Sequence, residues 1–293
     1  MKNLKKITSL LLVAIFLMAT FVGCSNDVSQ NYQKAGTDPQ AETFGSEQVE
    51  RTFTVGFDAE YPPYGYMDKD GNYTGFDLEL AAEVCKRRNW RLVKQPIDWD
   101  SKDLELLSGK INCIWNGFTM TGRENKYEWT VPYVDNSIVF VVNNNSKINT
   151  KADLAGKVVT TQTGSSALSA LTDTEDNDEN LALKDSFKSL EQTPDYNTAF
   201  MNLESGLVDA IAVDIGVAKY QLTNRKNKFR ILDEELSKEQ YAVGFRYGNV
   251  ALRNNVQETL NEIYKDGTMM EIAKKYSDYN LPDMICFGDY IDK

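Results

Sequence analysis

A chain of 293 residues, 42% of them hydrophobic, is long enough to bury one large core or two medium ones. It contains no histidine at all, which removes the commonest general base, the commonest zinc ligand and every Ser-His or Cys-His nucleophile pair, so hydrolytic triads are not expected. A formal net charge of −11 argues against nucleic acid and anionic membrane surfaces as partners.

The N-terminus reads as an export signal. "MKNLKK" is a basic n-region and "ITSLLLVAIFLMATFV" an apolar run a little short for a spanning helix. An uncleaved anchor is the alternative, but no stop-transfer pattern follows the run. "VGC" resembles the lipobox of bacterial lipoproteins, which implies cleavage after residue 23 and a lipid, such as palmitate, on Cys24. Residues 24–50 are polar and without period, a flexible tether with a span of about 25–30 Å. The remaining cysteines are Cys85, Cys113 and Cys286. Cys85 falls on a helical stripe and Cys113 inside a strand, so buried free thiols are expected rather than a disulfide, and no CxxC spacing suggests a metal site.

From residue 51 onward, strand-like and helix-like segments alternate, the pattern of α/β layers. "TFTVGF" (52–57) reads as a strand. "YMDKDGNYTGFD" contains an Asp-Gly turn and then Asp77, the expected N-cap of a helix whose stripe is Leu80, Ala81, Val84 and Cys85. "SKDLELLSGKINCIWNG" reads as a short helix closed by Gly109, then a strand. Later in the chain "NLESGLVDAIAVD" (202–214) repeats that order of helix, Ser-Gly and apolar strand. Two βα lobes follow, with the strand ends at "NGFT" and Asp214 where open α/β sheets bind ligands. The acidic run "DTEDNDEN" (173–180) fails the EF-hand template, since Asp178 stands where glycine is needed, and is expected to be a solvated loop. "GTMMEIAKKY" (267–276) reads as a terminal helix with buried methionines.

Four segments carry the chemistry of a site for a small zwitterion: "FDAEYPPYGY", "DWD", "WNGFTMTGREN" and the pair "TGSSALSAL" with "AVD". A carboxylate needs a guanidinium, hydroxyl donors and helix N-terminal N–H groups, which Arg123, Thr119, Ser165 and Ser166 can supply. An ammonium needs an acid in a dry place, and Asp214 ends an apolar strand. Taken singly, Arg123 reads equally well as a surface arginine and Asp214 as a helix cap; their joint placement at strand ends points to a site.

The order and spacing of "VGFDAEYPPYGYMDKDGNYTGFDLELAAEV", "DWD", "SGKINCIWNGFTMTGRE", "ADLAGKVVTTQTGSSA" and "SGLVDAIAVD" resemble the extracytoplasmic solute-binding proteins of polar amino acid ABC transporters, over about residues 51–285. The resemblance implies a two-lobed, periplasmic-binding-protein-like (type II) fold. Its lobes would span 51–140 plus 244–293 and 141–243, joined by crossing strands near "SIVFVVN" and "YAVGFR", with hinge closure on the ligand. It implies that Arg123, Gly117, Thr119 and Ser166 hold the substrate's carboxylate end and Asp214 its amino group. Tyr61 and Trp99 would flank the side chain and Asp58 meet its tip. Arg123 follows Thr119 by one residue fewer than the family's commoner spacing.

The function expected is an extracellular, lipid-anchored, monomeric receptor that delivers a polar amino acid to an ABC permease without cofactor or metal. Basic side chains rank first, then glutamine, with cystine an outsider and acidic ligands disfavoured by Asp58. The rivals are a dehydratase-like enzyme of the same fold, which would have to use carboxylates, Lys or Tyr, and an amino-acid sensor module.

Overall fold

The computed structural model describes residues 51–173 and 178–291. The expected export segment at 1–23, Cys24 and the tether at 24–50 lie outside the described residues. Two five-stranded sheets organise the chain, and they share one strand order. In the first, Arg91–Pro96, Thr52–Phe57 and Cys113–Ile114 run parallel in that spatial order, and the antiparallel strand Gly244–Arg246 follows, with Tyr127–Trp129 at the far edge. In the second, Ser189–Thr193, Val158–Gln162 and Ala210–Asp214 are the parallel set, Val134–Asn143 is the antiparallel strand and Phe229–Tyr241 the edge. Each sheet is thus built from βα units plus one strand that returns against them, which gives the two-lobed type II fold. The unit noticed in the sequence is part of this shared plan: the helices Lys102–Leu107 and Tyr196–Ser205 end at Gly109 (φ +76) and Gly206 (φ +78) before strands Cys113–Ile114 and Ala210–Asp214.

The chain crosses between sheets twice. "SIVFVVN" itself lies inside the second sheet, and the first crossing comes just before it, at residues 130–134. The return lies at 241–244. The crossings run side by side, with Tyr133 N donating to Tyr241 O at 2.9 Å, Thr130 N to Val243 O at 3.1 Å and Val243 N to Thr130 Oγ1 at 3.0 Å.

The helix Phe76–Arg88 shows how local chemistry fixes an element. Acids occupy its first turn and Lys86, Arg87 and Arg88 its last, both favourable to the helix dipole. Leu80, Ala81, Val84 and Cys85 are buried as the periodicity predicts. Its N-cap, however, is Gly75 (φ 130, ψ 162), and Asp77 lies inside the first turn rather than capping it. Cys85, Cys113 and Cys286 are buried free thiols. The acidic run is only partly loop, because residues 178–186 form a helix. Met269 and Ile272 are buried along the helix Thr268–Lys274. Among the described residues no helix is long and apolar enough to cross a membrane, and no group of three or more metal-ligating side chains converges.

Gly75 carries two independent constraints. Its φ and ψ belong to a region open only to glycine, and a Cβ there would sit 2.2 Å from the Tyr64 carbonyl oxygen. Gly75→Ala is therefore expected to cost about 3 kcal/mol or more of folding stability. Urea denaturation checks it; a midpoint equal to the parent's refutes the constraint.

Candidate functional site

Where strand Cys113–Ile114 ends, the chain turns into Gly117 at φ +55. A side chain there would place its Cβ 2.8 Å from Cε1 of Tyr61, so only glycine lets the turn lie against that ring. Gly117 N donates to Asp77 Oδ2 at 2.5 Å, and Tyr133 OH donates to the same oxygen at 2.8 Å. Asp77 thus braces the loop from below. From the other side the loop is stapled to the second crossing: Ala242 N donates to Phe118 O at 3.0 Å and Met120 N to Gln240 O at 2.8 Å. Thr119, between these bonds, is buried and bridges Tyr241.

The hydroxyls that the sequence assigns to the ligand converge on a residue it did not single out. Glu239, on strand Phe229–Tyr241, accepts on Oε1 from Thr119 Oγ1 (2.8 Å), Asn136 Nδ2 (2.8 Å) and Ser166 Oγ (3.2 Å). Asn136 Nδ2 also donates to Asp214 Oδ1 at 2.8 Å, and Tyr241 OH donates to that oxygen at 2.5 Å. Asp214 stands at the N-cap position of helix Ile215–Asn224 but makes no side-chain cap bond, so its carboxylate is committed to the cleft. Thr119, Ser166, Asp214 and Glu239 therefore form one buried cluster around one asparagine amide.

The other expected residues fall around this cluster. Tyr61 reaches it through its hydroxyl, 3.2 Å from that of Tyr241, and its ring lies 6.0 Å from that of Tyr196. Asp58 is buried; it accepts from Glu60 N at 2.8 Å and, across the cleft, from Gln162 Nε2 at 2.6 Å. Trp99 packs edge-on against Phe118, with centroids 5.6 Å apart. Arg123 lies over the same Phe118 at 5.5 Å, half-buried, with Nη1 donating to Thr119 O at 3.3 Å and no ion pair among the described residues. Ser165 does not join them: its hydroxyl caps helix Ser166–Thr172 at Leu168 N (3.1 Å) and donates to Gln162 O (2.7 Å). A further cation appears that sequence reasoning missed. Lys102 is buried, 5.2 Å over the Trp99 ring, and donates across the cleft to Gly164 O at 3.1 Å. Asn197 also bonds Glu60 across the cleft.

Burial shifts Glu239, Asp77 and Asp58 one way. Desolvation, followed by the Asp214 charge, lifts Glu239 from 4.5 to about 8. Desolvation lifts Asp77 to about 7 and Asp58 to about 6, in each case against hydrogen bonds that favour the ionised form. Lys102 moves the opposite way, down to about 8, through desolvation and the nearby Arg123. A cleft lined by acids that resist ionisation is suited to a cationic group that brings its own donors.

Known proteins share this arrangement of chain. Residues 53–279 match the model of the bacterial extracellular solute-binding proteins, family 3. L-cystine-binding protein TcyJ of Escherichia coli strain K12 is 28% identical, covering 77% of this chain and 82% of that protein. L-cystine-binding protein TcyA of Bacillus subtilis strain 168 is 27% identical, covering 90% and 96%. A crystal structure of an ABC uptake transporter substrate-binding protein from Streptococcus pneumoniae with bound histidine superposes with a TM-score of 0.72 at 33% identity, covering 77% of this chain and 92% of that one.

The raised acids make a prediction about the ligand-free protein. A carboxyl whose folded pKa exceeds its unfolded value stabilises the fold fully below the unfolded value, and that contribution is lost as pH rises through the folded one. For Asp58, Asp77 and Glu239 the window runs from about 4 to about 8. The melting temperature at constant ionic strength is expected to fall steadily from pH 5 to pH 8.5. A flat or rising profile would count against burial of these three acids.

Proposed function

Because the chain belongs to the bacterial extracellular solute-binding proteins of family 3, we propose that it captures a polar amino acid outside the cell and presents it to an ABC importer permease. The ligand lies between the lobes, whose boundary we draw where the strands change sheet, before Val134 and after Tyr241. Asp214 receives the α-ammonium and Arg123, with the N–H groups near Thr119 and Ser166, the α-carboxylate. The observation that carries this reading is the buried cluster of Asp214 with its donors Asn136 and Tyr241, together with an arginine that has no ion pair among the described residues. The names of the cystine-binding and histidine-bound relatives support the amino-acid class. The family is one of binding proteins, not enzymes.

Within the polar class, Lys102 favours a particular tip. The Trp99 face that a cationic side chain would use for cation–π attraction is occupied by the chain's own ammonium. A tip that both donates and accepts fits better: the amide of glutamine, or the distal ammonium and carboxylate of cystine, the first facing Asp58 and the second Lys102. Lysine and arginine could satisfy Asp58 but leave Lys102 facing a like charge.

Removing one partner of a buried charge pair costs about 2–5 kcal/mol, so Asp214→Ala or Arg123→Ala should weaken binding roughly 30- to several-thousand-fold without unfolding the chain. In the same calorimetric series Lys102→Met should weaken L-cystine and L-glutamine more than L-lysine. Near-parental affinity in either alanine variant removes that residue from the site. If L-lysine binds the parent best and Lys102→Met leaves the order unchanged, the tip assignment fails.

The family places the protein outside the cytoplasm; we propose further that a lipid on Cys24 anchors it to the membrane, motivated by "VGC" after a short apolar run. Cys24→Ala should then abolish metabolic labelling with palmitate. An unlabelled parent, or a mature N-terminus elsewhere, sinks this proposal.

A further inference from the structure

Glu239 and Asp214 are two buried acids that share a single donor group, the Asn136 amide, and among the described residues neither is ion-paired. Like charges in a dry site do not both ionise unless a cation joins them. Resting on the amino-acid reading above, we infer that Glu239, beside Asp214, holds a proton in the ligand-free protein and exchanges it for the ligand's α-ammonium, so that capture releases a proton.

The hydrogen-bond inventory of the cluster supports this. Thr119 and Ser166 each have one hydroxyl proton, and both are spent on Glu239 Oε1. What these hydroxyls still offer is lone pairs, which suit an N–H donor and not a carboxylate. Asn136 gives its amide donor to both acids while its Oδ1 is buried without a partner. Donors are in deficit at this point of the cleft, and an ammonium brings three. The groups that face the pair do not supply the charge. Tyr61, Tyr64, Tyr196 and Tyr241 are buried with their hydroxyls held well above the ordinary tyrosine range. On the hinge side a cavity of about 550 Å³, lined by Asn136 and Glu239, opens past Asp135, Glu235, Lys219 and Lys238. These charges are of both signs, and the cavity offers the displaced proton a route to water. The upward displacement of Glu239, caused by burial and then by Asp214, agrees with a proton resident at neutral pH.

Calorimetric titration of the full chain with L-cystine, L-glutamine and L-arginine at pH 6 and pH 7, each in two buffers of different ionisation enthalpy, counts the protons exchanged. At pH 7 release of about one proton per ligand bound is expected, with affinity rising by up to about tenfold from pH 6 to pH 7. In Glu239→Gln, checked for native circular dichroism, release at pH 7 should fall by about one proton and the rise in affinity from pH 6 to pH 7 should shrink to about twofold, the share left to Asp58. If a ligand binds the parent with heat that is the same in both buffers, the exchange is overturned while the amino-acid reading stands. Undiminished release from a folded Glu239→Gln that still binds overturns it equally. If no amino acid binds at all, the reading of the site fails and the exchange with it.

Discussion

The geometry of the cleft is referred to one antiparallel pair of strands, Val134–Asn143 with Phe229–Tyr241. Its register sets Asn136 opposite Glu239 and Val134 opposite Tyr241, and directly opposed residues of such a pair lie about 4.5–5.5 Å apart at Cβ. That spacing carries the Asn136 amide to the Glu239 carboxylate. The neighbouring strand on the other side brings in Asp214, opposite Ile138. Because the loop at 117–120 is hydrogen-bonded to residues 240–242 of the same crossing, it is registered against Glu239 and Asp214. A few dihedral changes at 130–134 and 241–244 would move all of these contacts together, the behaviour required of a hinge.

The lobes are joined by hydrogen bonds between Asp58 and Gln162, Lys102 and Gly164, Glu60 and Asn197, and Thr119 and Glu239, and by ring contacts of Tyr61 with Tyr196 and Tyr66 with Tyr220. A hydrogen bond of this kind contributes about 1 kcal/mol net. Against these contacts stands the desolvation of Asp58, Asp214 and Glu239, all buried in the same cleft. A ligand shifts an open–closed equilibrium only by its differential affinity for the two forms, and a group that relieves buried like charges gains most of its affinity after closure.

Much of this was legible in the sequence. Asp214 could be placed at the end of an apolar strand, and Gly109 could be read as a helix stop. Ser165 was also recognisable as the start of a helix, although that role takes its hydroxyl away from the ligand. Asp77 was misread because the helix begins two residues earlier than an Asp N-cap requires, at a glycine conformation that composition does not announce. Lys102 sits in "DWDSKDLE", a stretch whose charge suggests a solvated face, yet it is buried over Trp99 and bonded to Gly164 O. No local pattern encodes a contact between residues 102 and 164.

Glu239 was hidden by a different cause. In "FRILDEELSKEQY" the buried positions are Phe229, Leu232, Leu236, Glu239 and Tyr241, which follow no single two-residue alternation. The ladder is irregular between Ile231 and Ser237, and an extra residue in one strand exchanges its faces. Beyond the irregularity Glu239 and Tyr241 turn inward, and Lys238 projects into solvent with its side chain 85% exposed. The break in alternation thus lets one strand serve two purposes: its first half fills the core of the second lobe with leucines, and its last residues supply the cleft with an acid and a tyrosine.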